Sequence, residues 1–124
     1  MRIVPFKHVT LTAGHANAMI VDSEVFPMGS FNYAHVTIKI HTMFAMGTPP
    51  TPNLFFRVWG GNTGQEWTQF TDFDETISVP GLTEVAAYMT SAFMKVRLTL
   101  DLVSSGAGDW ATAILCCHSV LARR

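Results

Sequence analysis

The segment LFFRVWGGNTGQEWTQFTDF, residues 54 to 73, constrains this chain more than any other. Leu54, Phe56 and Val58 alternate with Phe55, Arg57 and Trp59, the period of a strand with one face buried. Gly60, Gly61, Asn62, Thr63 and Gly64 then supply turn chemistry and positive φ, and Glu66-Trp67-Thr68-Gln69-Phe70 resumes the alternation. The pattern predicts a β-hairpin with Leu54, Phe56 and Val58 turned to a core.

Other segments repeat that period. In Phe31 to Thr42, Ala34, Val36, Ile38 and Ile40 oppose Tyr33, His35, Thr37, Lys39 and His41. In Met94 to Leu102, Met94, Val96, Leu98, Leu100 and Leu102 oppose Lys95, Arg97, Thr99 and Asp101. Trp110 to Leu121 carries apolar residues of both parities, which places it centrally in a sheet or beneath another subunit. Thr76 to Val79 predicts a short strand before the Pro80-Gly81 turn. Glu84 to Ser91 has a helical look but is too short to stand as a helix without packing. Residues 1 to 30 are irregular, with short strands at Val9-Thr10-Leu11-Thr12 and at Ala18 to Val21, and they read as an N-terminal arm with edge strands. Met43 to Asn53 reads as a loop, because Gly47, Pro49, Pro50 and Pro52 oppose a central strand. About eight short strands and almost no helix predict an all-β chain: a single antiparallel β-sandwich or jelly roll over residues 31 to 124, preceded by that arm.

Composition narrows the function. Of 124 residues, 48% are hydrophobic and only 14% charged, with a net charge of −1, where soluble domains average roughly 25% charged. Either much of the uncharged surface is buried against other subunits, or a small monomer wears a Ser/Thr/Asn coat. The eight Lys and Arg residues form no basic stripe, which argues against nucleic acid. The longest uncharged run, Ile40 to Phe56, is broken by Gly47, Pro49, Pro50 and Pro52 and does not read as a membrane span, and Lys7, His8 and Thr10 interrupt any secretory signal before Ala16-Asn17-Ala18. The only cysteines, Cys116 and Cys117, are adjacent, so a strand would turn them to opposite faces. That excludes a disulfide framework and fits folding in a reducing cytoplasm. With His118 they cannot converge on one metal ion.

Candidate chemistry is sparse. His35 and His41 are too far apart along a strand to share a metal. Asp72, Asp74, Glu75 and Glu84 are the one acidic cluster, without EF-hand spacing or a neighbouring nucleophile. No Ser-His-Asp constellation, P-loop or dinucleotide fingerprint occurs. The expectation is a non-enzyme without metal or cofactor. Met43, Phe44 and Met46, in the apolar loop, either fold over the core edge or dock on a partner. Phe55, Arg57 and Trp59, opposite the core face, are the other candidate contacts, since aromatics and arginine are enriched at interfaces. Trp59, Trp67 and Trp110 are the alternative, a set of rings on which sugars could stack. Against that, Trp67 could fill the core.

Four successive segments carry a resemblance: YAHVTIKI, FFRVWGGNTGQEWTQF, FMKVRLTLDL and ATAILCCHSVL. In order and spacing, residues 31 to 122 resemble the jelly-roll proteins that decorate or cement tailed-phage heads. Their turn usually carries Asp-Gly, where this chain has Thr63-Gly64-Gln65. The resemblance implies a strand or loop over Glu84 to Ser91, and a virion protein on the capsid surface, made in the host cytoplasm. It implies a homo-oligomer, a trimer above all, that bridges subunits of the major capsid protein, with the N-terminal arm tying copies together. Related sandwiches in tail fibres and sugar-binding modules make host attachment the alternative.

Overall fold

The computed structural model describes residues 1–47, 51–63, 65–103 and 106–124. Pro49, Pro50 and Gly64, named above as turn positions, lie outside the described residues, as do Ser104 and Ser105, whose Ser-Gly-rich stretch reads as a hairpin loop. Among the described residues ten strands occur: β1 (Arg2–Gly14), β2 (Met19–Asp22), β3 (Phe26–Pro27), β4 (Tyr33–Met46), β5 (Thr51–Gly61), β6 (Thr68–Gln69), β7 (Glu75–Ile77), β8 (Gly81–Tyr88), β9 (Phe93–Val103) and β10 (Trp110–Ala122). They form two antiparallel sheets. The first has the order β1-β10-β4-β8; the second has β2-β9-β5-β6, with β3 also on β9 and β7 also on β5.

Ser23 marks the break between β2 and β3. Its N–H donates to Val96 O (2.8 Å), and its hydroxyl accepts from Val96 N–H (2.9 Å). A side chain thus takes over where the ladder stops. A 3-10 turn at Thr71–Phe73 similarly separates β6 from β7. Counting each interrupted pair as one strand leaves eight, ordered 1-8-3-6 and 2-7-4-5. That order is the jelly roll, two Greek keys folded into a double sheet.

The alternating segments face inward as their period requires. Ala34, Val36, Ile38 and Ile40 of β4, Leu54, Phe56 and Val58 of β5, and Met94, Val96, Leu98 and Leu100 of β9 are all buried between the sheets. From β10, Ala111, Ala113, Leu115, Cys117 and Leu121 join them. This strand is central, between β1 and β4, but only one of its faces is covered: Ile114, Cys116 and Val120 lie on the sheet's outer face, with Val120 47% exposed. Buried Ser119 is satisfied by donating to His35 O (3.1 Å).

The first thirty residues are not an arm. β1 pairs with β10 along nearly its whole length, from Arg2 opposite Val120 to Gly14 opposite Trp110. Two register shifts, between Ile3 and Phe6 and between Phe6 and Val9, each add a residue to β1. These bulges let Ile3, Phe6, Leu11 and Ala13 all reach the core despite their uneven spacing. The Met1 amino group donates to Leu121 O (2.8 Å), and Asn32 exchanges two 2.9 Å hydrogen bonds with the backbone of Arg124.

The loop expected over Met43 to Asn53 is also mostly strand. β4 continues to Met46, and β5 begins at Thr51 with Pro52 opposite Leu102, near the strand start, where a missing N–H costs little. Ile40 opposes Leu115 and Thr42 opposes Ile114, so His41 is bulged. Beyond it the parity inverts and Met43 points into the core. The Glu84 to Ser91 segment is largely strand β8, not helix. In the hairpin, Gly60 and Gly61 do not have positive φ. They are needed for close approach: a Cβ on Gly61 would collide with Glu66 O, and one on Gly60 with the Phe70 ring.

Candidate interaction surfaces

The six residues expected to make contacts do not form one surface. Met43 is buried in the core and is not a contact residue. Phe44 and Met46 lie on the outer face of the first sheet, paired with Thr112 and Trp110. Phe55, Arg57 and Trp59 lie on the outer face of the second sheet. The sandwich separates the two groups. The tryptophans divide likewise: Trp110 is on the first sheet, Trp59 and Trp67 on the second.

The second sheet's outer face is a lattice of charges and rings. β2 and β9 pair Asp22 with Arg97. Asp22 accepts from Arg97 Nε (2.7 Å) and Nη2 (3.1 Å) and from Lys95 Nζ (3.3 Å). The hydrogen bond from Arg97 is the main cause holding the Asp22 carboxyl below its ordinary value, with Lys95 adding to it against partial burial. The same cations cover aromatic faces: Lys95 Nζ is 4.5 Å from the Trp67 ring centre, Arg97 Cζ 5.3 Å from Trp59, and Arg57 Cζ 5.3 Å from Phe55. Trp67 therefore lies outside the core, half-buried under Lys95. Gln69 donates to both Asp74 oxygens (2.9 and 2.7 Å). Sugar stacking on Trp59 or Trp67 at those faces would have to displace a cation. The Trp59 Nε1–H is buried without a hydrogen-bond partner among the described residues.

The first sheet's outer face is different. Phe44 and Trp110 meet edge to face, centroids 5.5 Å apart, with Met46 54% exposed beside them. Tyr33 and Tyr88 form a second edge-to-face pair at 5.2 Å, with Arg124 Cζ 4.3 Å above Tyr33. His35 approaches Glu84 at 3.9 Å, both largely exposed. Cys116 faces outward; Cys117 is buried, and desolvation raises its thiol pKa to about 12. An open recess beside the β1 bulges is lined by Arg2, Val4, Phe6, Lys7, Cys116, Cys117 and His118.

Asp72 and Asp74 flank the buried Phe73 at the 3-10 turn. Among the described residues no three His, Cys, Asp or Glu side chains gather as metal ligands, and no helix is long and apolar enough to cross a membrane. The Asp22–Arg97–Lys95 network was not anticipated, because Asp22 lies 73 positions from Lys95 and 75 from Arg97 in sequence. In β8 the pair Ala86-Ala87 blurs the alternation that marks a strand, so only the resemblance pointed to a strand or loop there.

No protein-family model matches the chain, and no curated protein does either. Among solved structures, VP2 of infectious bursal disease virus, in its subviral particle, superposes with a TM-score of 0.56 at 7% identity. The match covers 98% of this chain and 32% of VP2, so the chain spans about a third of that protein's length. It shows a shared sandwich fold. The SPBc2 prophage-derived protein YomS aligns at 16% identity over 93% of this chain and 98% of its own, with a TM-score of only 0.29.

Proposed function

We propose that this chain is a structural virion protein of the decoration or cement type, binding the outside of a tailed-phage head and bridging its major capsid subunits. The observation that carries the reading is the eight-strand jelly-roll order. Its support is the superposition of nearly the whole chain on a protein that forms a subviral particle. The four sequence segments that resemble phage head proteins map onto β4, the β5–β6 hairpin, β9 and β10. No enzymatic constellation enters the reading. The outer face of the first sheet, with Phe44, Met46 and Trp110, is the surface assigned to the capsid. The protein works as a homo-oligomer.

The test is to mix purified protein with emptied tailed-phage heads that lack a decoration protein. Co-sedimentation and a raised temperature of head disruption are the expected results. Substituting Phe44 and Trp110 together by Ala should abolish both while the free protein stays folded. A protein that neither sediments with heads nor stabilises them, but whose fluorescence responds to glycans, would shift the assignment to a host-attachment module.

A further inference from the structure

A sandwich exposes four sheet edges, and each is a row of unpaired N–H and C=O groups able to capture another strand. Three edges here carry a protective device. β1 is bulged twice and contains Pro5 and Lys7. The β2–β3 edge is two short pieces interrupted at Ser23. The β6–β7 edge is two and three residues split by the 3-10 turn. The fourth edge, β8, has none. It pairs with β4 without a register shift from Tyr88 opposite Tyr33 to Gly81 opposite Ile40. It holds no proline and no lysine, and Glu84 is its only charge.

The side chains also read as unfinished. Outward-facing Leu82 and Tyr88, at the two ends of β8, are 63% and 61% exposed. Inward-facing Thr83, Val85 and Ala87 are only half-buried, whereas the opposing Ala34, Val36 and Ile38 of β4 are fully buried. The Met89 N–H donates to Asn32 O (2.8 Å). Bonded pairs alternate in an antiparallel ladder. Thr83, Val85 and Ala87 therefore turn their backbone groups to β4, and Leu82, Glu84, Ala86 and Tyr88 present theirs to the open side.

We propose that β8 is a self-association edge that pairs antiparallel with β8 of a second copy, joining the two first sheets into one. The sequence selects the register. A two-fold axis normal to the sheet keeps inward residues inward, so only residues of equal parity can pair. Centring on Glu84 would set like charges opposite each other, which is unfavourable. Centring on Val85 sets Glu84 opposite the partner's Ala86 and Leu82 opposite the partner's Tyr88, twice over. Each exposed apolar residue then finds an apolar partner, and the contact is isologous and closed. The inference does not depend on the virion reading.

Light scattering after size exclusion, across a concentration series, tests it. The expected mass at the upper concentrations is twice the chain's 13.7 kDa. Ala86→Pro removes one N–H from the open side and none from the β4 ladder, so the mass should fall to a single chain with the circular dichroism unchanged. Ala86→Glu sets a carboxylate opposite the partner's Glu84 and should weaken the dimer by up to about tenfold. Adding Glu84→Lys to that variant should restore it. The charge pair decides the question should the proline variant fail to fold. A single-chain mass at every concentration would overturn the proposal. So would a two- or three-chain mass that none of these variants changes, since assembly would then run through another surface.

Discussion

The two outer faces of the sandwich are built on opposite logic. On the second sheet every cation sits over a ring or on a carboxylate: Lys95 serves both Asp22 and Trp67, Arg97 both Asp22 and Trp59, and Arg57 covers Phe55. On the first sheet Phe44, Met46, Trp110, Leu82 and Tyr88 stand open to solvent, against Ile20 and Val103 on the second. A face whose groups already satisfy one another gains little from a partner, because binding must first break those contacts. A face of exposed apolar rings and an unpaired edge gains both burial and hydrogen bonds.

The sharpest way to separate these roles is to remove one phenylalanine from inside the sandwich and one from its outer face. Phe56 is completely buried, and Phe56→Ala should cost about 3–5 kcal/mol of unfolding free energy. Phe44→Ala should cost less than about 1 kcal/mol, as surface changes usually do, and its effect should fall on association with heads. Denaturant titration of both variants measures the difference. A Phe44 loss as large as that of Phe56 would make this residue part of the fold instead of a contact.

Breaking the lattice on the second sheet should have a smaller effect. Asp22→Asn leaves Lys95 and Arg97 side by side without their anion, and the loss should be about 1 kcal/mol, since the group is a third exposed. The pH dependence has a defined sign. The folded-state pKa of Asp22 lies below its ordinary 3.8. Its contribution is present above that value and disappears as pH falls through the folded-state pKa. Melting of wild type and Asp22→Asn should therefore differ at neutral pH and converge in strong acid. A difference that persisted there would take Asp22 out of the acid response.

The smallest effect belongs to Trp59. Its indole N–H is buried without a described partner, so Trp59→Phe removes an unsatisfied donor while keeping a ring beneath Arg97. Stability should stay within about 0.5 kcal/mol of wild type. A loss well above that would reveal a hydrogen bond at this nitrogen.

How much of this was readable in advance depended on whether the two-residue period ran unbroken. In β9 and in Leu54 to Val58 it does, and each buried residue follows from parity. In β1 the inward residues fall at 3, 6, 9, 11 and 13, because two bulges insert residues that no local propensity announces. A strand of thirteen residues therefore looks irregular in sequence. Met43 fails for the same reason: the bulge at His41 inverts every later residue of β4. The candidate contacts inherited these errors. For Phe44 and Met46 the sequence left open whether they fold over the core edge or dock on a partner, and the sheet face they share with Trp110 is a matter of register between β4 and β10, residues far apart in sequence. The charge lattice was invisible for the same cause, as Asp22 meets Arg97 only once the second sheet has formed.

The pairing of β1 with β10 has a practical consequence for anyone wishing to attach something to this protein. Since Met1 is tied to Leu121 and Arg124 to Asn32, a peptide grafted to either end emerges from the same corner of the sandwich. Two different cargoes, one at each end, would be held side by side. A short linker could equally close the backbone into a circle and let new ends be cut elsewhere.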